Sequence, residues 1–169
     1  MRVASAIAGL LICLVSVSVA QRDDLYVSVT LEVSEHSRDS NSTKTSFVIT
    51  GNKVIYDETY FGYRSGSRKP VHKEYRFTDP EMANLKRLIE EKDLLKAKSF
   101  TTPLPEDAPY TRYELTQEIR WKGGRSVSKI LGSLQALAGA DAKDRRTYED
   151  ANALLEYVRS TLKPKGESQ

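Results

Sequence analysis

The stretch 25-LYVSVTLEV-33 decides the fold class of this 169-residue chain. Its odd positions are all apolar, and its even positions are mostly polar. Alternation with a period of two predicts a β-strand that buries one face against a core. The polar run that follows, 34–44, is predicted to be a loop.

Two further β-rich runs, 45–50 and 53–59, flank the dipeptide Gly51-Asn52. Tight hairpin turns need positive φ angles, which Gly and Asn adopt at low cost, so this pattern predicts a hairpin. A short strand is also expected within 73–77. Farther along, 111–121 alternates again and is predicted to pair with 126–131 through a glycine turn.

Two amphipathic helices complete the pattern. The first is expected to begin either with Thr78, which fits a capping box with Glu81, or with Asp79 as the cap and Pro80 in the first turn, and to end near Leu94-Leu95. The second is expected to be capped by Thr147. Their apolar positions recur near helical spacing: Met82, Leu85, Leu88, Ile89 and Leu95 in the first, and Ala151, Leu154, Leu155, Val158 and Leu162 in the second.

The order of strands, helix, strands, helix predicts an α+β domain. We expect an antiparallel sheet of five to six strands with both helices packed on one face, because this arrangement buries two amphipathic stripes. Residues 96–109 are interpreted as a connection without regular structure. The segment 132–146 fits either a short helix or a loop.

The N-terminus predicts export. Residues 1–20 combine a positive start at Arg2, an apolar run and a small-x-small end at 18–20, which is the layout of a secretory signal peptide. The mature part would then be one domain, 21–162, with a disordered polar tail at 163–169, and would be secreted or periplasmic. No stretch of it is apolar enough to span a membrane.

Charge and cysteine content exclude several classes of site. The formal charge is +3 and falls to +2 when Arg2 is removed, which argues against a nucleic-acid binder. The single cysteine, Cys13, lies in the predicted signal peptide, so the mature chain would have neither disulfides nor a cysteine zinc site. No cofactor is expected.

No catalytic or metal-binding residue is predicted either. The only histidines, His36 and His72, are interpreted as solvated surface residues. A metal site would require both to meet a carboxylate such as Asp39 or Asp57. The run 62-GYRSG-66 misses the nucleophile elbow, because arginine stands where serine is required. Adjacent acidic pairs fit solvated helix faces and loops.

The stretch 60-YFGYRSGSRKPVHKEYRF-77 is the candidate binding surface. Tyrosine and arginine are the residue types that carry interface energy, and loops held by strands commonly bind partners. The candidate partner-binding residues are Tyr60, Phe61, Tyr63, Arg64, Arg68, Lys69 and Lys73. Under the alternative interpretation, some aromatic rings belong to the core and the basic residues only keep a long loop hydrated. Asn41 begins a sequon, 41-NST-43, and is a candidate glycosylation site.

Three segments resemble a known family when taken in order: 85–95, 110–124 and 151–162. Their helix, strand-with-glycine-turn and closing helix are similar to emfourin-like proteins, small bacterial inhibitors of thermolysin-type metalloproteases. The resemblance supports the fold more than it supports protease inhibition. The Ser-Gly-Gly turn of that family is absent after the first strand, so no inhibitory residue can be assigned.

We therefore predict an exported, non-enzymatic domain that binds an exported protein, with protease inhibition as one form of that activity. An envelope-associated structural protein and a hydrolase with an unrecognised site are the alternatives. The sequence leaves the oligomeric state open.

Overall fold

The structure is a computed structural model that describes residues 25–36, 40–62, 68–105 and 109–162. It shows an α+β fold, as predicted. The strands are β1 Tyr26–His36, β2 Asn41–Thr50, β3 Lys53–Gly62, β4 Val71–Arg76, β5 Phe100–Thr101, β6 Tyr110–Trp121 and β7 Gly124–Ser133. The helices are α1 Asp79–Glu91, α2 Leu134–Ala138 and α3 Ala142–Leu162, with a 3₁₀ turn at Leu94–Lys96. The predicted signal peptide and polar tail lie outside the described residues.

The strands form one sheet in the order β4-β3-β2-β1-β6-β7-β5. The alternating stretch 25–33 lies in β1, which pairs antiparallel with both β2 and β6. The predicted Gly51-Asn52 hairpin is confirmed: Thr50 pairs with Lys53, and Gly51 has a φ of 58°.

The sheet is larger than predicted and mixed rather than wholly antiparallel. Within the segment expected to be a connection, Phe100–Thr101 pairs in parallel with Ile130 and Leu131 of β7. The amide of Thr102 extends this pairing with a 2.9 Å bond to the Leu131 carbonyl. A two-residue strand is too short to give a periodic signal.

The predicted loop at 34–44 is also shorter than expected. β1 continues to His36, and β2 begins at Asn41. This part of the sequence has no apolar alternation. It nevertheless forms strand because its backbone pairs with β6 and β3. Strand formation here depends on neighbouring strands more than on local propensity.

Helices α1 and α3 cover the same face of the sheet, which we call the helix face. Tyr148 of α3 packs against Tyr113 with ring centroids 4.9 Å apart, and Lys86 of α1 lies over the ring of Trp121. The apolar residues predicted for α3 are all buried. On the other face, which we call the open face, side chains such as Thr116 and Lys129 are exposed.

The sequence predicted the start of α1 correctly but not the start of α3. The Thr78 amide donates to the Glu81 carboxylate at 2.7 Å, as the capping box predicts. The predicted cap at Thr147 is wrong, because α3 begins at Ala142. Asp141 accepts the amides of Lys143 and Asp144, both at 2.8 Å, and so caps the helix instead.

Candidate partner-binding surface

The candidate surface lies where β3 extends beyond its edge neighbour β4. β4 pairs only with Lys53–Glu58, whereas β3 continues to Gly62 and pairs with β2 along this extension. Residues 59–62 of β3 therefore have no partner in β4. Tyr60 and Phe61 lie in this part of β3, and Arg68 and Lys69 lie just before β4.

Tyr60 and Phe61 point to opposite faces of the sheet, because neighbouring residues of a strand alternate. Tyr60 shares the helix face with Tyr56 and Glu58. Phe61 lies on the open face and is 55% exposed. The sequence stretch therefore supplies two surfaces rather than one. Tyr63 and Arg64 lie outside the described residues.

On the helix face, Tyr60 is held between an acid and a base. Its hydroxyl donates to Oε1 of Glu58 at 2.6 Å, and the guanidinium carbon of Arg68 lies 5.3 Å from its ring centroid. The hydrogen bond to Glu58 raises the pKa of Tyr60. Tyr56 donates to the other oxygen of Glu58 at 2.8 Å. The ring of Tyr60 is thus fixed in place as a partly exposed platform.

Three cations of the segment 68–73 have no described counterion, and one of them, Arg68, lies over this ring. Arg68, Lys69 and Lys73 are all exposed. No described carboxylate lies within 4.0 Å of their charged nitrogens. We call Tyr60, Arg68, Lys69 and Lys73 the corner surface. Its excess positive charge is available to an incoming anion.

A pocket of about 450 Å³ adjoins the corner surface, between β3, β4 and the end of α3. Its lining includes Tyr56, Val71, Lys73, Arg159 and Leu162. Glu58 and Glu156 also line it, and both carboxylates already accept hydrogen bonds, from Tyr56 and Arg159 respectively. The pocket therefore combines apolar walls with charged groups of both signs, and Lys73 is the charged side chain of its lining without a described ion-pair partner.

Arg159 is the functional candidate that sequence reasoning missed. It donates to Oγ1 of Thr45 and to Oε1 of Glu156, both at 3.0 Å. Burial opposes its charge, but hydrogen bonds to Tyr56 and Glu156 outweigh this and raise its pKa. A signal was present: Arg159 follows Leu155 by four residues and so lies at the margin of the apolar stripe of α3.

On the open face, Phe61 borders a shallow groove of about 370 Å³ that is also lined by Ser34, His36 and Arg112. His36 stacks on Tyr110 with ring centroids 4.6 Å apart. Asn41 lies nearby and its side-chain amide donates to Glu35 at 3.4 Å. Glycosylation of Asn41 stays a prediction.

Three carboxylates of the adjacent acidic pairs 90–91 and 149–150 contact cations. Glu90 accepts a 2.6 Å bond from Lys122, Glu91 lies 3.7 Å from Arg87, and Asp150 lies 2.8 Å from Lys92. The pairs 23–24 and 106–107 include residues outside the described ranges. Among residues 25–36, 40–62, 68–105 and 109–162, no three metal-ligating side chains form a group that could hold a metal ion.

His72 meets Asp57 but not His36. Its Nδ1 lies 2.6 Å from Oδ1 of Asp57, and its Nε2 lies 3.7 Å from Oε1 of Glu74. The hydrogen bond to Asp57 raises the pKa of His72 above the ordinary value of 6.5, and the charge of Asp57 adds to the effect. This pair joins the edge strand β4 to its neighbour β3.

Replacing Asp57 by asparagine is expected to lower the pKa of His72, measured by NMR titration. The raised pKa means that the pair stabilises the fold fully below pH 6.5 and loses this effect as pH rises through the raised value. The pH dependence of the urea midpoint should weaken accordingly in this variant. Glu74→Gln is the control and should change the pKa less, because Glu74 is farther away. An unchanged pKa in the Asp57 variant would show that the pair does not form.

No protein-family model matches this chain, and no curated protein matches it either. The resemblance to emfourin-like proteins is thus neither supported nor opposed by these comparisons. Within the described part of the chain, no helix is both long and apolar enough to cross a membrane.

Proposed function

We propose that this chain is an exported, non-enzymatic binding module that docks an acidic segment of a protein partner on the corner surface. One observation carries the proposal: the segment 68–73 holds three exposed cations without a described counterion, Arg68, Lys69 and Lys73, and Arg68 lies over the ring of Tyr60. Exposed like charges repel one another, so an acidic partner would relieve this repulsion and be attracted to the site.

The pocket beside the corner surface adds an apolar contribution. Val71 and Leu162 supply apolar walls, and the half-buried guanidinium of Arg159 is already fixed by Thr45 and Glu156. A fixed guanidinium loses little conformational freedom on binding. The favoured ligand is therefore an apolar or aromatic side chain followed by acidic residues.

The compartment and the class of partner rest on the sequence. The signal-peptide pattern at 1–20 supports export, so the partner would be an exported protein. The resemblance to emfourin-like proteins makes a thermolysin-type metalloprotease the first partner to test. Retention on anionic envelope material would instead favour the envelope-associated alternative.

Reversing two charges of the corner surface is expected to weaken partner binding. For Lys69→Glu with Lys73→Glu, we expect the dissociation constant to rise by about tenfold or more, since each reversed contact changes from attraction to repulsion. Partners would be captured from the exported protein fraction, identified, purified and titrated by calorimetry. Binding should weaken with added salt, because exposed charges are screened.

The matched control is Lys98→Glu with Lys143→Glu. Both lysines are exposed and form no described ion pair, and they line a different pocket beside the start of α3. This control has the same change in net charge and should bind within about twofold of the natural chain. If both double variants lost the same affinity for the partner, the effect would come from the change in net charge alone. This result would contradict the corner surface as the binding site. Hydrolysis of the bound partner by the natural chain would contradict a non-enzymatic role.

A further inference from the structure

One row of cross-strand partners on the open face is rich in cations over six strands. The register aligns Arg76 with Lys53, Lys53 with Thr50, Thr50 with Tyr26, Tyr26 with Arg120, and Arg120 with Arg125. We call these six residues the cationic row. Four of them are basic, and none of the six is acidic.

The cationic row contains two like-charged pairs directly opposite each other, at Lys53–Arg76 and at Arg120–Arg125. Such pairs destabilise a sheet unless a counterion is present. The neighbouring row supplies only two acids to these four cations: Glu74 lies 2.9 Å from Lys53, and Glu118 lies 3.1 Å from both arginines. Positive charge therefore remains in excess along the row.

The contacts of Arg120 and Arg125 fix both guanidinium groups while leaving donors available. Each contacts the same oxygen of Glu118 through its Nε. Arg120 also lies 4.3 Å from the ring centroid of Tyr26. Both side chains are more than half exposed, at 54% and 67%. Their terminal Nη groups can thus donate to an oxyanion from solvent.

We propose that the cationic row binds a linear anionic polysaccharide that lies across the strands. Six neighbouring strands at about 4.8 Å spacing make the row about 24 Å long and one residue wide. This shape matches a single extended polymer with regularly spaced carboxylate or sulfate groups. The inference does not depend on the corner surface, which lies on the other face of the sheet.

Other polyanions fit the row less well. A membrane surface or a nucleic-acid duplex is wider than one row and would meet Glu74 and Glu118 in the next row. Single-stranded nucleic acid requires free aromatic rings for base stacking. The only ring in the row, that of Tyr26, is already covered by the guanidinium of Arg120.

The test is titration of the full chain with short, size-defined dextran sulfate and with hyaluronan fragments. The variants Arg120→Gln with Arg125→Gln, and separately Lys53→Gln with Arg76→Gln, should each weaken binding by about tenfold. The control Arg87→Gln with Arg145→Gln removes the same charge from exposed positions on α1 and α3 and should change binding by less than about twofold.

Three results would overturn the proposal. The first is that the natural chain binds neither polysaccharide at low salt. The second is that the control loses as much affinity as the row variants, which would indicate attraction by net charge alone. The third is that duplex DNA or vesicles containing anionic lipid compete more strongly than the polysaccharides and depend on the same arginines. Thermal unfolding of each variant establishes that it is folded.

Discussion

Replacing Gly132 by alanine is expected to lower the free energy of unfolding by about 3 kcal/mol, measured by urea titration. Gly132 lies in β7 opposite Tyr113, and the position is buried. A Cβ atom there would overlap Oγ1 of Thr102, and would also lie 3.0 Å from Cβ of Thr102 and 3.1 Å from the hydroxyl of Tyr113. The new methyl group therefore has no space.

Moving Thr102 out of the way would itself destabilise the fold. It is 6% exposed, and its amide donates to the carbonyl of Leu131 at 2.9 Å. Displacing it would break the parallel pairing that attaches β5 to β7. Because β5 has only two residues, we expect it to detach in the variant, which amide hydrogen exchange at Leu131 and Thr102 would detect.

The control is Gly139→Ala, at the end of α2. Its φ of −92° suits any residue, and the nearest atom to a new Cβ lies 3.7 Å away. This change should alter the free energy of unfolding by less than about 0.5 kcal/mol. If Gly132→Ala changed the free energy of unfolding as little as Gly139→Ala, Thr102 would not pack closely against Gly132 of β7.

Features set by local chemistry could be predicted from the sequence. The alternation at 25–33 predicted the half-buried strand β1, and Gly51-Asn52 predicted the tight turn of the β2–β3 hairpin. The capping box at Thr78 fixed the start of α1. In each case, a few adjacent residues carry enough information to select one backbone conformation.

Features set by distant contacts could not be predicted. β5 exists because β7 offers its edge to Phe100 and Thr101. The cap of α3 was placed six residues too late, since Thr147 satisfied the pattern while Asp141 makes the bonds. Thr147 instead donates to the carbonyl of Lys143 within the helix.

The candidate site could be predicted only in part, because its geometry also depends on contacts between distant segments. The sequence named Tyr60 and Arg68 among the candidate residues, and the structure places Arg68 over the ring of Tyr60. The sequence pattern ended the second hairpin strand at 59, however. The structure extends β3 to Gly62, and the alternation then sends Tyr60 and Phe61 to opposite faces. Arg159 reaches the site through the fold alone, from more than ninety residues farther along the chain.

Replacing Gln117 by methionine is expected to raise the free energy of unfolding by about 1–2 kcal/mol. Gln117 lies in the middle of β6, between Val29 of β1 and Ser128 of β7, and only 1% of it is exposed. Neither its amide nitrogen nor its oxygen has a hydrogen-bond partner among the described residues. An unpaired buried amide loses its hydration without compensation.

Methionine is a close match for this test because it keeps the length and flexibility of glutamine while removing the polar atoms. Gln135→Met on the exposed surface of α2 is the control; it loses one 3.3 Å bond from the amide of Thr111 and should change stability by less than about 0.5 kcal/mol. A loss of stability in Gln117→Met would mean that the amide is satisfied in solution, as by a buried water molecule. Gln117 would then be a polar anchor joining the three central strands, and its amide would stabilise the core rather than destabilise it.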